Sequence, residues 1–348
     1  MAKKILIIGH QGYLGSRLCP YLDELGYDVS GIDVGYFANG VMHPINDFTI
    51  QKKNAHLITK NDINGFDAVI QLAGISNDPV NTLDPDLFYK TCVDYTIEIA
   101  KFCRELGIKF IFPSSCSVYG VSVDNLDETS EVAPKTHYSQ SKIDIENGLK
   151  RLSGNDFSPI ALRLATVFGP SPRIRFDVVI NMLTGMAVSK NQITLNSNGQ
   201  AWRPHLYIDD VCHAMERCLS WDYATPELMV MNVGRNDNNW KIIDVAQYLS
   251  DQFTDVPVSF LDKSAKDSAL IADRKISDGV DVRNYQVSFD KIHSTLPGFS
   301  CKTSVGEGIN KLIEWLKQYQ LDVAKFSQRD FYRLQQMEFL NTIGALEE

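Results

Sequence analysis

Short apolar runs alternate with helical patterns along the first half of the chain. The runs KILIIG (4–9), DVSGID (28–33), AVIQLAG (68–74), KFIFPSS (109–115) and SPIALRLATVFGP (158–170) are typical of buried strands. Between them, residues 13–26 and 96–107 carry the apolar spacing of helices. This alternation predicts an α/β protein in which a parallel sheet carries helices on both faces.

The pattern becomes less regular after residue 170, where short apolar segments such as 192–199 and 229–234 mix with helices. Ser304 and Glu307 have capping-box spacing and predict a helix within 303–320. Apolar residues at 331, 334, 337, 340 and 343 predict a packed terminal helix, which we interpret as having no catalytic role. The second half therefore predicts a smaller lobe that closes over the sheet edge.

The length and net charge of the chain exclude several kinds of function. A chain of 348 residues is long for one core and suits two lobes. The net charge of −9, without a long basic run, argues against nucleic-acid or anionic-membrane binding. No apolar run reaches the ~18 residues of a membrane span. An anionic substrate stays open, because a few arginines in a cleft can override the overall sign.

The seven cysteines predict reduced thiols rather than disulfides or a zinc site. Their number is odd, no CxxC occurs, and no histidine stands at zinc-ligand spacing. We therefore expect a cytoplasmic protein without a metal. The opening MAKKILIIGH predicts a first strand rather than a signal peptide.

Three glycines, Gly9, Gly12 and Gly15, lie between the first strand and the first helix. Such spacing suits a tight turn, close approach of backbone N–H groups to a diphosphate, and close helix–strand packing. Glycine spacing alone also fits a simple tight turn. Asp33 ends the next strand, where a carboxylate holds the adenosine ribose hydroxyls. Asp33 repels a 2′-phosphate and DVGYFANG supplies no Arg or Lys, so the sequence predicts NAD rather than NADP.

Tyr138 and Lys142 stand one helical turn apart in THYSQSK. A phenol with an ordinary pKa near 10 is a poor base at neutral pH. A nearby ammonium favours the phenolate, which can then accept a proton from a substrate hydroxyl while carbon delivers hydride to NAD. Lys142 can also hydrogen-bond the nicotinamide ribose.

These motifs together, with SSCSVYG (114–120), resemble the extended short-chain dehydrogenase/reductases, the NAD-dependent epimerase/dehydratase family that acts on nucleotide sugars. The resemblance continues through LRLATVFGP (162–170), WRPHLYIDD (202–210) and MNVG (231–234). It implies a Rossmann-type doubly wound parallel sheet with a smaller C-terminal substrate lobe, and a homodimer. We assign 1–170 with 206–235 to the NAD domain, 171–205 and 236–325 to the sugar-nucleotide lobe, and 326–348 to a helical tail.

The resemblance also implies roles for individual residues. The catalytic hydroxyl is Ser115, acting with Tyr138 and Lys142, whereas Ser114 is expected to be structural. Besides the glycines and Asp33, the cofactor residues are Tyr13, Leu14, Asp62, Ile63, Leu72, Ala73 and Gly74. The substrate residues are Ser115, Cys116, Asn181, Arg203 and Arg283.

Two positions depart from the family pattern. Cys92 stands where an Asn is usual. Cys116 and Ser117 replace the Asp–Glu pair of the 4,6-dehydratases, so dehydration lacks its acid and base, and decarboxylation lacks its Glu. Some 3,5-epimerases use a thiol one residue later. Cys116 is therefore open between a base and a residue that packs or lines the sugar pocket, and His137 and His205 are rival acid/bases.

The sequence thus predicts an enzyme that oxidises the C4 hydroxyl of a nucleoside-diphosphate sugar. A 4-epimerase is the first reading. A C4 dehydrogenase that releases the 4-keto sugar, with its NADH recycled by a second substrate, is the alternative. A non-catalytic NAD-binding sensor is the alternative of another class. The sequence identifies neither the sugar nor the nucleotide base of the substrate.

Overall fold

A computed structural model describes residues 2–74, 85–261 and 283–346. The strands in these ranges are β1 (Lys4–Ile8), β2 (Asp28–Asp33), β3 (Thr49–Lys52), β4 (Ala68–Gln71), β5 (Lys109–Ser115), β6 (Val121–Leu126), β7 (Ile160–Leu164), β8 (Thr166–Phe168), β9 (Ile193–Leu195), β10 (Trp202–Tyr207), β11 (Met229–Val233), β12 (Asn239–Lys241), β13 (Val258–Phe260) and β14 (Asn284–Val287).

The helices in the same ranges are α1 (Gly15–Glu24), α2 (Lys60–Ile63), α3 (Pro85–Leu106), α4 (His137–Leu152), α5 (Val179–Lys190), α6 (Ile208–Ser220), α7 (Ile242–Asp251), α8 (Asp290–Thr295), α9 (Val305–Gln318), α10 (Val323–Phe326) and α11 (Arg333–Thr342). None of the helices in these ranges is both long and apolar enough to cross a membrane.

The main sheet has the order β11-β7-β5-β4-β1-β2-β3 among the described strands. Every neighbouring pair in it is parallel. The predicted Rossmann-type doubly wound sheet is confirmed. Because the strand order reverses on either side of β1, the carboxyl ends of β1 and β4 border a crevice, which is where open α/β sheets bind ligands.

Alternate residues of β1 face opposite sides of the sheet, and each side has its own core. Ile5 and Ile7 pack in a cluster that includes Leu18 of α1 and Val211 of α6. Leu6 belongs to a second cluster, which contains residues of α3 and α4. The period of two in a strand thus places helices on both faces.

The smaller lobe has a third core, built from α5, α7 and α9 around Phe168 and Phe176. The predicted capping box is confirmed: the Ser304 hydroxyl accepts from Glu307 N at 3.3 Å, and the Glu307 carboxylate accepts from Ser304 N at 2.8 Å. This capping fixes the start of α9, which packs against α5.

The predicted strand over 158–170 is two strands. Ala165 separates β7 from β8 and donates its N–H to the carbonyl of Val233 at 3.1 Å. β8 then leaves the main sheet and pairs in parallel with β10 of a smaller sheet. The chain passes from one lobe to the other at this break.

The terminal helical stripe is only partly buried. Phe331, Leu334 and Met337 are buried, whereas Ile343 is 56% exposed. The predicted helix exists, as α11, but its buried face ends after two turns.

Gly9 is required for two separable reasons. Its φ is +89°, and an added Cβ would lie 2.4 Å from Ala73 N. Gly65 has the same φ of +89° with nothing within 4 Å of an added Cβ. We expect Gly65→Ala to lower the free energy of unfolding by about 1–2 kcal/mol, the cost of a left-handed backbone, and Gly9→Ala to lower it at least twice as much. Urea unfolding measures both, and equal losses would contradict the close approach.

Candidate active site

Helix α4 places Tyr138 and Lys142 on one face. The Thr136 hydroxyl accepts from Ser139 N at 3.1 Å, so the helix begins at His137 and Tyr138 lies in its first turn. Lys142 Nζ lies 5.3 Å from the centre of the Tyr138 ring and donates to the carbonyl of Pro113 at 2.9 Å. The predicted pair is therefore brought together and tied to the end of β5.

The environment of Lys142 disfavours its charge. Its Nζ lies 4.5 Å from the centre of the Phe112 ring. Removal from water lowers the pKa of Lys142 to about 8. A negative charge nearby stabilises the ammonium, and the ammonium stabilises that negative charge. A phenolate at Tyr138 is the partner that this geometry favours.

Ser115 is the last residue of β5. Its hydroxyl oxygen accepts from Ser117 N at 3.1 Å and so caps the short 3₁₀ helix Cys116–Tyr119. This bond uses a lone pair and leaves the hydroxyl proton available for donation. Ser115 therefore suits the predicted role of hydrogen-bond donor to a reacting oxygen.

A buried polar network, which the sequence reading missed, holds this strand end against α4. Glu146 accepts from Ser114 Oγ at 2.5 Å and from Arg163 at 2.7 and 3.0 Å. Arg163 also donates to the hydroxyl of Tyr119 at 3.0 Å. The one signal in the sequence is that Glu146 follows Lys142 by four residues, on the same helix face. The expected structural role of Ser114 is consistent with this network.

Cys116 differs from the expectation that it lines the sugar pocket. Its side chain is 1% exposed, packs in the core, and donates to the carbonyl of Arg163 at 3.1 Å. Burial raises the pKa of the thiol well above its usual range. A thiol in this position is neither nucleophilic nor basic at neutral pH.

His137 and His205, the two alternative acid/bases, lie in different surroundings. His205 is fully buried, and burial, with the nearby Arg203 charge, lowers its pKa to about 3. It therefore stays neutral and out of reach of a substrate. His137 is exposed, and its ring stacks on Tyr89 of α3 with centroids 6.1 Å apart.

The glycine loop fits a diphosphate. An added Cβ on Gly15 would lie 2.5 Å from His10 Cα, so this glycine packs the helix onto the loop. An added Cβ on Gly12 would meet only the Gly9 carbonyl, at 3.3 Å, so Gly12 leaves open space at the start of α1. Helix α1 has no side-chain cap at Leu14 and no acidic residue in its first turn. Ser16 N donates to the carbonyl of Gly12, and Arg17 N and Leu18 N donate to the carbonyl of Leu14. Among the described N–H groups of this turn, those of Tyr13, Leu14 and Gly15 are left for an anion.

Asp33 and the segment after β4 flank this loop. The Asp33 carboxylate accepts from Gln11 N at 2.9 Å and from Gly35 N at 2.7 Å. Leu72 N and Ala73 N both donate to the carbonyl of Ile8 at 2.8 Å, which holds 72–74 beside Gly9. These predicted cofactor residues therefore meet at the carboxyl ends of β1, β2 and β4.

The predicted adenine pair is placed differently. Ile63 is fully buried in the core, so it presents no surface to a ligand. Asp62 accepts from Lys53 Nζ at 2.7 Å and from Thr59 N at 2.7 Å, which makes it a helix cap and ion-pair partner.

Asn181 also differs from the expectation of a diphosphate contact. It is fully buried, donates to the Tyr13 hydroxyl at 3.2 Å and the Arg175 carbonyl at 3.1 Å, and accepts from Gly169 N at 2.9 Å. Both of its N–H donors are used. Asn181 instead ties the glycine loop, through Tyr13, to the loop after β8.

The side chain of Arg203 contacts the backbone of Arg283. A guanidinium nitrogen of Arg203 donates to the backbone carbonyl of Arg283. The Arg203 guanidinium also lies 5.7 Å from the centre of the Tyr285 ring, and the residue is 7% exposed. The hydrogen bond ties the Arg203 side chain to the backbone just before β14, and the contact of Arg203 and Arg283 with a substrate diphosphate stays a prediction.

Three further arginines went unnoticed in the sequence. Arg173, Arg175 and Arg333 are each less than 10% exposed, at 7%, 8% and 6%. They come from the loop after β8 and from α11, and the charge of Asp33 acts on Arg173 and Arg333. The one signal in the sequence for Arg173 and Arg175 is their spacing within PRIRFD (172–177). No feature of the sequence marks Arg333.

Comparison with known proteins identifies a family. The model of the NAD dependent epimerase/dehydratase family matches residues 5–234. A protein of Bacillus subtilis (strain 168), named an uncharacterized UDP-glucose epimerase, YtcB, is 26% identical over 265 residues, which span 71% of this chain and 82% of that protein.

Two solved structures share the fold. UDP-glucuronic acid 4-epimerase from Bacillus cereus, in complex with UDP-glucuronic acid and NAD, has a TM-score of 0.74 at 22% identity over 90% of this chain and 99% of its own. TunA, an NAD-dependent NDP-hexosamine 5,6-dehydratase, has a TM-score of 0.77 at 20% identity over 92% and 99%. These two proteins carry different reactions on one fold.

The depressed pKa of Lys142 makes the stability of the protein depend on pH. Its pKa is about 8 in the folded protein, against 10.5 for an ordinary lysine. Between these values the unfolded chain binds more protons at this site than the folded chain, so stability rises with pH. We expect the free energy of unfolding of the wild type, relative to Lys142→Met, to increase from pH 8 to 10.5.

Chemical unfolding at several pH values measures this difference. Lys150→Met, which changes an exposed lysine of the same helix, serves as the control and is expected to show no comparable trend. A flat difference between the wild type and Lys142→Met across the window would contradict the assigned burial of the ammonium.

Proposed function

The chain belongs to the NAD dependent epimerase/dehydratase family, and on this premise we propose that it is a nucleoside-diphosphate-sugar 4-epimerase. The observation that carries the proposal is the position of Lys142, whose ammonium lies beside the Tyr138 ring and is anchored to the strand that ends at Ser115. This arrangement serves the oxidation of an alcohol.

The residues of the chain divide the work of proton transfer. Tyr138, as phenolate, accepts the proton of the sugar C4 hydroxyl. Lys142 lowers the cost of that phenolate by its charge. Ser115 donates a hydrogen bond to the same oxygen and orients it. When the carbonyl is reduced again, Tyr138 returns the proton.

The cofactor site is assigned to the glycine loop and its neighbours. The N–H groups at the start of α1 suit the diphosphate, and Asp33 suits the adenosine ribose hydroxyls. NAD, when bound, supplies the hydride acceptor and donor of the reaction. The residues around it keep the hydroxyl, the phenol and the ammonium aligned.

Burial favours 4-epimerisation over reactions at neighbouring carbons. Reactions at C3 or C5, and water elimination, need a second acid or base. In the loop after Ser115, Cys116 and Ser117 are buried, at 1% and 4% exposed, and neither is a carboxyl group. His205 is buried as well. His137 is exposed, but its ring stacks on Tyr89 of α3. Among the residues that the structure describes, we therefore assign proton transfer to Tyr138, and inversion at C4 needs no other group.

Uridine-diphosphate sugars are the first substrates to test. We assign the sugar diphosphate to Arg203 and to Arg283, whose backbone carbonyl accepts from the Arg203 guanidinium. The named activity of YtcB is that of a UDP-glucose epimerase, and the B. cereus enzyme was solved with UDP-glucuronic acid. Both relatives support a uridine nucleotide without deciding the sugar.

The test is NMR analysis of products from UDP-, GDP-, CDP- and dTDP-sugars, with and without an added keto-acid oxidant. We expect a C4-inverted sugar without oxidant, and a loss of turnover of about 10²–10⁴-fold in Tyr138→Phe with NAD still bound. A 4-keto sugar that accumulates only with oxidant would make the protein a dehydrogenase. Unaltered sugars in both arms, with NAD bound, would favour a sensor.

Cys116 and Ser115 are adjacent and are expected to respond oppositely. Cys116→Ala removes a buried, core-packed thiol, so we expect turnover within about threefold of wild type and a loss of about 1 kcal/mol in the free energy of unfolding. Ser115→Ala removes a donor to the reacting oxygen, so we expect turnover to fall about 10²-fold with little change in stability. Lost turnover with unchanged stability in Cys116→Ala would contradict this expectation and indicate that the thiol takes part in the reaction.

A further inference from the structure

The C-terminal segment, residues 322–346, covers the segment that follows Asp33. Gln336 Nε2 donates to the carbonyl of Tyr36 at 2.8 Å, and Lys325 Nζ donates to the carbonyl of Met42 at 3.1 Å. An added Cβ on Gly40 would lie 2.6 Å from the carbonyl oxygen of Asp330. The two segments are therefore in close contact over residues 36–42, beside the expected site of the adenosine.

Arg333 is the cation that this segment buries. It is 6% exposed, and its backbone N–H donates to Asp177 Oδ2 at 3.1 Å. Its guanidinium carbon lies 3.8 Å from the centre of the Phe37 ring. The guanidinium makes no hydrogen bond to any residue in the described ranges. A guanidinium that is largely removed from water and has no protein acceptor is costly unless water or an anion completes its hydrogen bonds.

Charges of both signs surround Arg333. Arg175 pairs with Asp177 through two bonds, of 2.8 and 3.2 Å, so this carboxylate is already engaged. Arg173 is 7% exposed, and its Nε has no hydrogen-bond partner in the described structure. The charges of Arg175, Asp177, Asp33 and Arg173 all act on Arg333. Arg333 thus shares its surroundings with a second cation, Arg173, whose Nε also lacks an acceptor among the described residues.

The surroundings of Arg333 disfavour its charge. Removal from water, with the repulsion of Arg175, lowers the pKa of Arg333 to about 9. An anion placed among these arginines would relieve both costs.

The cluster runs along the expected path of the dinucleotide. The field of Arg175 reaches Tyr13 of the glycine loop and Tyr138 of the catalytic pair. The field of Arg173 reaches Asp33, at the adenosine end. The diphosphate of a dinucleotide lies between its two nucleosides, so we expect it between Asp33 and Tyr138, the stretch along which these arginines lie.

We propose that Arg333 binds the cofactor diphosphate, so that the C-terminal segment is part of the cofactor site and closes over the bound dinucleotide. The proposal rests on the NAD site assigned above. It gives the terminal segment a binding role that its apolar stripe alone did not predict.

The test compares two ligands that differ in phosphate. Adenosine and ADP-ribose are titrated into the full-length chain, freed of bound cofactor, by calorimetry. We expect Arg333→Met to weaken ADP-ribose and NAD at least tenfold, the range for a hydrogen bond to a charged group, and to leave adenosine within about twofold. Arg333→Lys keeps the charge without the planar fork and is expected to fall between the two.

Arg329→Met is the matched control. Arg329 belongs to the same segment and lies over an aromatic ring, Phe339, at 3.5 Å, but it bonds to Gln336 rather than facing the cluster. We expect its ADP-ribose affinity to equal that of the wild type. Unchanged ADP-ribose affinity in Arg333→Met, or an equal loss for adenosine and ADP-ribose, would overturn the proposal and leave Arg333 a purely structural residue.

Thermal unfolding separates binding from folding. If Arg333 binds the diphosphate, Arg333→Met keeps the melting temperature of the ligand-free chain and loses most of the rise caused by ADP-ribose. If Arg333→Met does not fold, Arg333→Lys carries the same comparison. A wild-type chain that binds ADP-ribose but alters no sugar would refute the 4-epimerase and leave this proposal standing, because binding and turnover are measured separately.

Discussion

The buried ion pair between Glu146 and Arg163 is the interaction on which the geometry of the site depends. It joins α4 to β7 through two hydrogen bonds, and Ser114 and Tyr119 join the same network from β5 and from the turn after it. Tyr138 and Lys142 lie on α4, and Ser115 follows Ser114, so the network sets the distance between the hydroxyl and the phenol. A buried pair of this kind contributes little net stability over an apolar core, yet losing one partner is costly because the other charge is stranded. The main effect of the ion pair is therefore to position the side chains at the end of β5 and the start of α4.

The cofactor crevice is built by parts of the chain that lie far apart in sequence. The glycine loop is joined to the loop after β8 by Tyr13 with Asn181 and by Ser16 with Ser171. The C-terminal segment then closes over residues 36–42. The two lobes and the terminal segment are therefore coupled through the site itself. Any change that separates the lobes also disturbs the loop that is assigned to the diphosphate.

Burial, rather than residue type, separates the candidate proton-transfer groups of this chain. Cys116 and His205 are chemically capable of proton transfer, but both lie in the interior, where a low dielectric keeps them neutral and a substrate does not reach them. The fold itself does not select the reaction, because an epimerase and a dehydratase share it with this chain. The choice falls to a few groups at the end of β5 and the start of α4.

The sequence by itself determined the alternation of strands and helices, the glycine loop, the capping box at Ser304 and the pairing of Tyr138 with Lys142, because each depends on local spacing along a strand, a turn or a helix. It also placed Asp33 at the mouth of the crevice. Only the tertiary structure decided that Cys116, Ile63 and Asn181 are buried, that β8 leaves the main sheet, and that Arg333 meets Arg173 and Arg175. The exposure of a side chain, and the charges around it, depend on elements that come together from distant parts of the chain, and no local period encodes that meeting.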